Sequence, residues 1–145
     1  MSLTRREMCL LFPSALLPAL LVTKQTQEQS TLPSVLYPFD KLPVHISTTA
    51  ATCAVLKGKL DTGESVEVHE TTLPPGGAPH SPHRHAHSEM WLIREGTVAI
   101  TVNDATTRLG PGAVGFVRSN DEHGITNVGL TPAIYFVVAI GPGAS

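Results

Sequence analysis

The chain has 145 residues, 41% of them hydrophobic and 15% charged, with a formal net charge of -2 at pH 7. This length and composition indicate one compact, globular, soluble domain, with no room for a second. The slight negative charge, and the lack of any helix-turn-helix pattern or aromatic stacking motif in the sequence, argue against nucleic-acid binding.

The first thirty residues are predicted to be a leader rather than part of the fold. Arg5 and Arg6 give a positive start, and the apolar run from Leu10 to Val22 follows, as in a secretory signal peptide. A helix over this run would span only about 20 Å, short of the roughly 30 Å bilayer core. We therefore expect export to the periplasm or beyond, and no membrane contact once the leader is removed. The alternatives are a mistaken start codon and an uncleaved leader.

The leader also resembles a twin-arginine export signal, through Thr4-Arg5-Arg6. That route carries folded proteins, so the resemblance implies that a metal would be bound before export. Beyond the leader, Cys53 is the single cysteine of the sequence, and no intrachain disulfide is expected.

From residue 31 to residue 145 the sequence predicts an all-β domain. Short β-rich runs recur with turn signals between them, and no stretch keeps a helical period. An extended arm over residues 35–46 is interrupted by Pro38 and Pro43. The strands predicted after it cover residues 53–60, 65–73, 90–93, 97–102, 106–109, 114–117, 123–128 and 133–140.

The most distinctive stretch lies between Gly77 and Gly96, where four of the seven histidines fall within eight residues. Pro79 and Pro82 disfavour a helical start, and an apolar run follows, so a strand is predicted over the histidines. Such a concentration of imidazoles is typical of metal binding.

Two of these histidines have the spacing that a shared metal ion requires. On a strand, His83 and His85 face the same side, about 6–7 Å apart along the chain. Glu89 follows after a turn, and His123 is the candidate that would complete the coordination. His80 and His87 are predicted to lie at the rim, but a strand that continued further would place His87 on the ligand face.

These residues resemble the two motifs of the cupin superfamily. The first motif is matched without a gap by Gly77, His83, His85, Glu89 and Gly96. The second is matched by Gly112, His123 and Asn127, with Arg118 in place of a proline and Asn120 in place of a glycine. Asn tolerates a left-handed backbone, so the turn is expected to survive. The resemblance covers roughly residues 57–140.

The resemblance implies a single cupin jelly roll that binds one divalent metal ion through His83, His85, Glu89 and His123. Manganese, iron or nickel is favoured, with zinc as the alternative. Homodimers are common among cupins, and we expect one here, with the arm of residues 35–46 crossing to a partner and covering a sheet edge.

Alternation along the strands predicts which side chains share the interior with the ligands. If Glu89 faces inward, so do Trp91 and Ile93, and an inward His123 carries Ile125 and Asn127 with it. One of Phe116 and Tyr135 is expected on the same wall. The result is a mainly apolar pocket with one polar metal corner, as in many small-molecule sites.

Three imidazoles and a carboxylate leave coordination positions open, so the metal can activate an oxygen ligand of a small substrate. The resemblance implies several reactions, because cupins with this ligand set include dioxygenases, oxalate-acting enzymes, isomerases and lyases. We predict an oxygenase of small organic acids or phenols. The alternatives are an isomerase or lyase, and a non-catalytic binding or sensing protein. No catalytic residue can be named from the sequence; the candidates for a general base are His80, His87 and Glu122.

Overall fold

The structure is a computed structural model and describes residues 31–144. The predicted leader, residues 1–30, lies outside the described residues. Within residues 31–144 there are nine strands, one short 3-10 helix over Phe39–Lys41, and no α-helix. The strands are β1 (Val44–Ile46), β2 (Ala51–Lys59), β3 (Ser65–Leu73), β4 (Ser88–Glu95), β5 (Val98–Val102), β6 (Ala105–Leu109), β7 (Val114–Val117), β8 (His123–Asn127) and β9 (Ala133–Ile140). No helix in this range is long and apolar enough to cross a membrane.

The strands form two antiparallel sheets that pack face to face. The larger sheet has the order β1-β2-β3-β9-β4-β7, and the smaller has the order β6-β5-β8. This is the all-β jelly roll that the sequence predicts. Strands β3, β7 and β9 have the predicted bounds, and those of β2, β5, β6 and β8 differ by one or two residues.

The hydrophobic core lies between the two sheets. Alternate residues of β9 are buried along its whole length, as the pleat requires. The predicted inward side chains Trp91, Ile93 and Ile125 are 2%, 3% and 4% exposed, which confirms the alternation on β4 and β8. They pack with Leu73 and Tyr135 in one cluster.

Gly96 marks the turn between β4 and β5. Its φ is +79°, and a Cβ atom there would lie 2.6 Å from the Cα atom of Ala133. Both the left-handed backbone and this close approach require glycine. The turn lies against the start of β9, next to the end of β4.

The strand predicted over the histidines is wrong. β4 begins only at Ser88, and His83 makes a single antiparallel bridge with His123. The backbone amide of each donates to the carbonyl of the other, at 3.0 Å in both directions. Pro82 has no amide hydrogen to extend such a ladder. The segment is therefore extended but is held at one point.

The predicted arm docks on its own domain. Its last part, β1, pairs with β2, with Val44 opposite Cys53 and Ile46 opposite Ala51. β1 is the edge strand of the larger sheet. An arm that crosses to a partner is therefore not what this chain shows, and the homodimer stays a prediction.

Candidate metal centre

Three of the predicted ligands converge beside the smaller sheet. The ligand atoms of His83, His85 and His123 all lie within 4.8 Å of one another. His123 is the first residue of β8 and is 2% exposed. The bridge between His83 and His123 joins the two parts of the chain that carry the histidines.

Glu89, the fourth predicted ligand, reaches the same place from β4. Its Oε2 atom lies 2.9 Å from Nε2 of His85 and 3.3 Å from Nε2 of His123. Its side chain is 12% exposed. The structure thus brings all four residues of the predicted set together, with the carboxylate against two of the three histidines.

Backbone carbonyls fix which nitrogen of two rings carries the proton. Nδ1 of His85 lies 2.9 Å from the carbonyl oxygen of His87, and Nδ1 of His123 lies 2.8 Å from that of Asp121. Because a carbonyl only accepts, Nδ1 is the protonated nitrogen in each neutral ring. Each Nε2 then presents a lone pair toward the Glu89 carboxylate.

A bound cation would satisfy this arrangement. Lone pairs of two imidazoles face a carboxylate, and three groups that only accept cannot satisfy one another. Nδ1 of His83 and Nε2 of His123 are also buried without a hydrogen-bond partner. Nitrogen and oxygen donors oriented by second hydrogen bonds are what a divalent metal ion requires. The residues therefore fit the implied metal.

His87, which the sequence left open as a ligand, joins a second, overlapping group. Its ligand atom lies within 4.8 Å of those of His85 and Glu89. Its ring stacks on that of His85, with centroids 3.5 Å apart and an interplanar angle of 13°. The unpartnered nitrogens belong to the first group, so the donor set of His83, His85, Glu89 and His123 fits better.

Burial favours the neutral form of two imidazoles in this region, and the neutral form is the one that binds metals. Desolvation, followed by the nearby His80, lowers the pKa of His83 below its ordinary 6.5. Desolvation and the neighbouring His85 likewise lower the pKa of His87. At neutral pH these rings therefore offer lone pairs rather than positive charge.

A pocket of about 340 Å³ opens beside the cluster. Its apolar wall includes Trp91, Ile125, Tyr135 and Val137, and Trp91 also packs on His123 with ring centroids 5.5 Å apart. Trp91 and Ile125 line the pocket as predicted, whereas Ile93 and Asn127 do not. Of the two aromatic candidates, Tyr135 lines the wall, whereas Phe116 is 61% exposed.

Asn127 instead holds the loops around the strand ends. Its Nδ2 donates to the carbonyls of Leu73 and Thr131, at 3.0 and 2.8 Å, and its Oδ1 accepts from the amide of Gly129 at 2.9 Å. It is completely buried. In the second motif, Asn127 therefore stabilises the loops and does not belong to the metal-ligand set.

The departures from the second motif are accommodated locally. Asn120 has a φ of +66°, the left-handed backbone predicted for it. Its amide donates to the carbonyl of His85 at 2.8 Å, so this turn also positions a ligand. Arg118 pairs with Asp121 at 3.0 Å across the turn.

The three predicted general-base candidates differ in position. His80 and His87 line the pocket at its rim, and the ring of His80 meets that of His83 edge-on at 4.1 Å. Glu122 does not line the pocket; it pairs with Arg84 at 3.2 Å. Arg94, for which the sequence suggested no role, pairs with the buried Glu70 at 2.6 Å on the opposite face of the sheet.

Two polar pocket residues, Glu67 and His69, were missed from the sequence. Both lie on β3, and Nδ1 of His69 is 3.5 Å from Oε1 of Glu67. Alternation along that strand could have predicted them, because residues 67, 69 and 71 lie on the same face as the buried Leu73. Tyr135 lies on the neighbouring strand, and its burial raises its pKa, so its hydroxyl stays protonated.

Comparison with known proteins agrees with this geometry. Residues 69–139 match the family model described as "Cupin domain". L-ectoine synthase from Bordetella parapertussis is 34% identical over 62 residues, which are 42% of this chain and 47% of that protein. The chain therefore spans about half the length of the curated relatives it matches.

Solved structures share the fold. A predicted oxalate decarboxylase from Thermotoga maritima has a TM-score of 0.63 at 20% identity, covering 74% of this chain and 99% of that one. The polyketide cyclase RemF from Streptomyces resistomycificus has a TM-score of 0.61 at 19% identity, covering 74% and 80%. At these identities the likeness concerns the fold alone. Residues 69–139 are therefore similar to a cupin domain, and the described chain shares the jelly-roll fold of these structures.

Proposed function

We propose that this protein is a divalent-metal-dependent enzyme that acts on a small organic molecule. The observation that carries the proposal is the convergence of unprotonated donor atoms of His85, His123 and Glu89 at one wall of a pocket. A pocket of about 340 Å³ suits a small substrate. A bound ion there would act as a Lewis acid that polarises an oxygen of the substrate.

The residues of the chain supply positioning and proton transfer. Trp91, Ile125 and Val137 give an apolar wall against which the carbon skeleton of a substrate packs. His69 and Glu67 provide acid–base groups inside the pocket, and His80 and His87 lie where protons exchange with solvent. These groups favour a proton-transfer reaction, such as that of an isomerase or a lyase. The predicted oxygenase reaction needs no acid–base pair such as His69 and Glu67.

The names of the relatives give the oxygenase no particular support. They include a synthase, a cyclase and a predicted decarboxylase. The oxygenase stays a prediction, as do manganese, iron or nickel as the preferred metals and zinc as the alternative.

The test starts from metal-free protein loaded separately with Mn²⁺, Fe²⁺, Ni²⁺ and Zn²⁺. Each form is incubated with a panel of small hydroxy-acids, ketones and phenols. An oxygen electrode measures oxygen uptake, and proton NMR measures conversion of the substrates in the absence of oxygen. We expect conversion without oxygen uptake, lost in His85→Ala. Oxygen uptake would restore the oxygenase, and binding without conversion by any metal form would favour the non-catalytic alternative.

Export by way of residues 1–30 is proposed separately, from Arg5, Arg6 and the apolar run that follows them. Cells that express the full chain are fractionated and compared with cells that carry the double variant Arg5→Lys, Arg6→Lys. The twin-arginine route predicts that the variant stays in the cytoplasm. Export of the variant would mean that the leader follows a route that does not need the two arginines.

A further inference from the structure

The pocket wall opposite the histidine cluster contains a titratable pair that metal binding does not use. Glu67 and His69 both line the pocket from β3, and Nδ1 of His69 lies 3.5 Å from Oε1 of Glu67. Their side chains are 33% and 25% exposed, so both are largely withdrawn from solvent. Neither residue belongs to a group of potential metal ligands among the described residues.

The register of the sheet places this pair directly across from the ligand side. Glu67 and Glu89 both pair with Ala139, and they flank it on the two neighbouring strands. In the same way, His69 and Trp91 both pair with Val137. Because neighbouring strands lie about 4.8 Å apart, the Cα atoms of Glu67 and Glu89 are about 10 Å apart on one face of the sheet.

Small side chains form the floor between these two walls. Ala139 and Val137 are 6% and 5% exposed and line the pocket. A gap of about 10 Å between backbones, reduced by the side chains on each side, accepts a molecule of a few carbon atoms. Such a molecule would touch the histidine cluster at one end and His69 at the other.

The charges around the pocket limit what this molecule can be. The residues that line it include the carboxylates Glu67 and Glu89 but no lysine or arginine. Lys57 contacts Glu67 at 3.2 Å but does not line the pocket. A negatively charged group of a substrate would therefore meet Glu67 without a cationic partner in the pocket.

The state of His69 suits a base. Its Nδ1 faces a carboxylate, which can only accept a hydrogen bond, so the ring proton lies on Nδ1 and the lone pair on Nε2. Burial is the main cause that lowers its pKa, and the negative charges of Glu67 and Glu89 oppose this. The ring is therefore neutral at pH 7, and Glu67 stabilises the imidazolium that forms when the ring accepts a proton.

We propose that His69 is the catalytic acid–base residue of this site, that Glu67 positions it, and that the substrate is a small uncharged or cationic molecule with an oxygen donor. This inference rests on the proposed function. Nε2 of His69 takes a proton from a substrate carbon or oxygen, and the bonding electron pair stays on the substrate. The proton then returns to another atom of the same molecule, or to a hydroxyl group that leaves as water. No oxidant or reductant takes part.

Hydroxyacetone is a suitable probe because it is uncharged, offers two oxygen donors and carries C–H protons next to its carbonyl. The full chain is loaded with Mn²⁺ or Zn²⁺ and incubated with hydroxyacetone in deuterated buffer. The reaction is then quenched, the metal is removed, and NMR of hydroxyacetone measures how many of these protons have exchanged with deuterium. We compare the wild type with His69→Gln, Glu67→Gln and a control, His45→Gln, in which the substituted residue is exposed on β1. Metal content is measured in each.

We expect exchange in the wild type above that of free metal, a loss of about 10²–10⁴-fold in His69→Gln, and no change in His45→Gln. Glu67→Gln should lose less and move the acidic limb of the pH profile to lower pH, because the imidazolium loses its counter-charge. The groups of other strands that face the pocket, including Glu89, the histidine cluster and Tyr135, are the same in all variants.

Metal content separates the two proposals. Absence of metal from the wild type after loading would overturn the proposed function itself. Wild-type exchange in a metal-loaded His69→Gln variant, or no exchange in the metal-loaded wild type, would overturn the role of His69 while leaving the metal centre in place.

Discussion

Oε2 of Glu89 lies 2.9 Å from Nε2 of His85, and in the neutral tautomer no proton lies between them. The carbonyl of His87 produces this situation, because it accepts a hydrogen bond from Nδ1 and so keeps the only proton of the neutral ring there. Two groups that accept hydrogen bonds are thus held in contact by a short turn. A bound metal ion would relieve this contact, and the surrounding histidines could supply its other ligands.

The role of Asn127 can be separated from the metal centre. Its side chain makes three hydrogen bonds in a completely buried position. Asn127→Ala would leave buried backbone groups without partners, and we expect a loss of about 3 kcal/mol in the free energy of unfolding in urea. Metal content per folded chain should be unchanged. A loss below about 1 kcal/mol would contradict the structural role.

The left-handed turn at Asn120 predicts a second stability effect. With a φ of +66°, alanine at this position should cost about 1–2 kcal/mol, whereas Asn120→Gly should be tolerated. The Ala variant should also bind metal more weakly, because strain in the turn would shift the backbone amide of residue 120 that donates to the carbonyl of His85. Urea unfolding and metal titration of both variants test this. Equal stability of the two would show that the backbone conformation carries no cost.

The strands and turns of this fold were predictable because they depend on local chemistry. β3, β7 and β9 follow β-rich runs bounded by turn residues, and Asn120 adopts the backbone expected of it. The spacing of His83, His85 and Glu89 also indicated which side chains would meet. Alternation along a strand needs no knowledge of its neighbours.

Features that depend on which strands pair were not predictable in the same way. Glu67 and His69 face Glu89 and Trp91 only because β9 lies between β3 and β4, a register that joins distant parts of the chain. The docking of β1 on β2 depends likewise on an edge that the sequence does not mark. The isolated bridge between His83 and His123 replaced a predicted strand for the same reason.

The dependence of stability on pH follows from three partly buried histidines, His69, His83 and His87. Burial lowers the pKa of each below the ordinary 6.5. The unfolded chain therefore takes up protons first, and the metal-free protein should lose stability as the pH falls from about 6.5 toward the folded pKa values. Calorimetry of the metal-free protein should give a lower Tm at pH 5.5 than at pH 7.5. The same Tm at both would contradict the shifts.

We propose that the predicted homodimer forms through the outer face of the larger sheet. Six apolar residues of β7, β4 and β9 lie side by side there. Val114, Phe116 and Leu92 are exposed, and Met90, Phe136 and Val138 are half-buried. A continuous apolar face favours association. The double variant Leu92→Lys, Phe116→Lys should therefore be monomeric.

Light scattering at micromolar concentration measures this. The control is Leu130→Lys, which changes a residue that is 97% exposed in a loop and should leave the dimer intact. A monomeric wild type would remove the prediction.

Metal content of the purified full chain after loading distinguishes a metal centre from a cluster of histidines that binds no ion. We expect one divalent ion per chain in the wild type and in the control His45→Ala, and loss of most of it in His85→Ala and in His123→Ala. Circular dichroism shows whether each variant is folded, and a His87→Ala variant tests the alternative ligand. A wild type that takes up no metal, or folded His85→Ala and His123→Ala variants that keep the wild-type amount, would contradict the assignment.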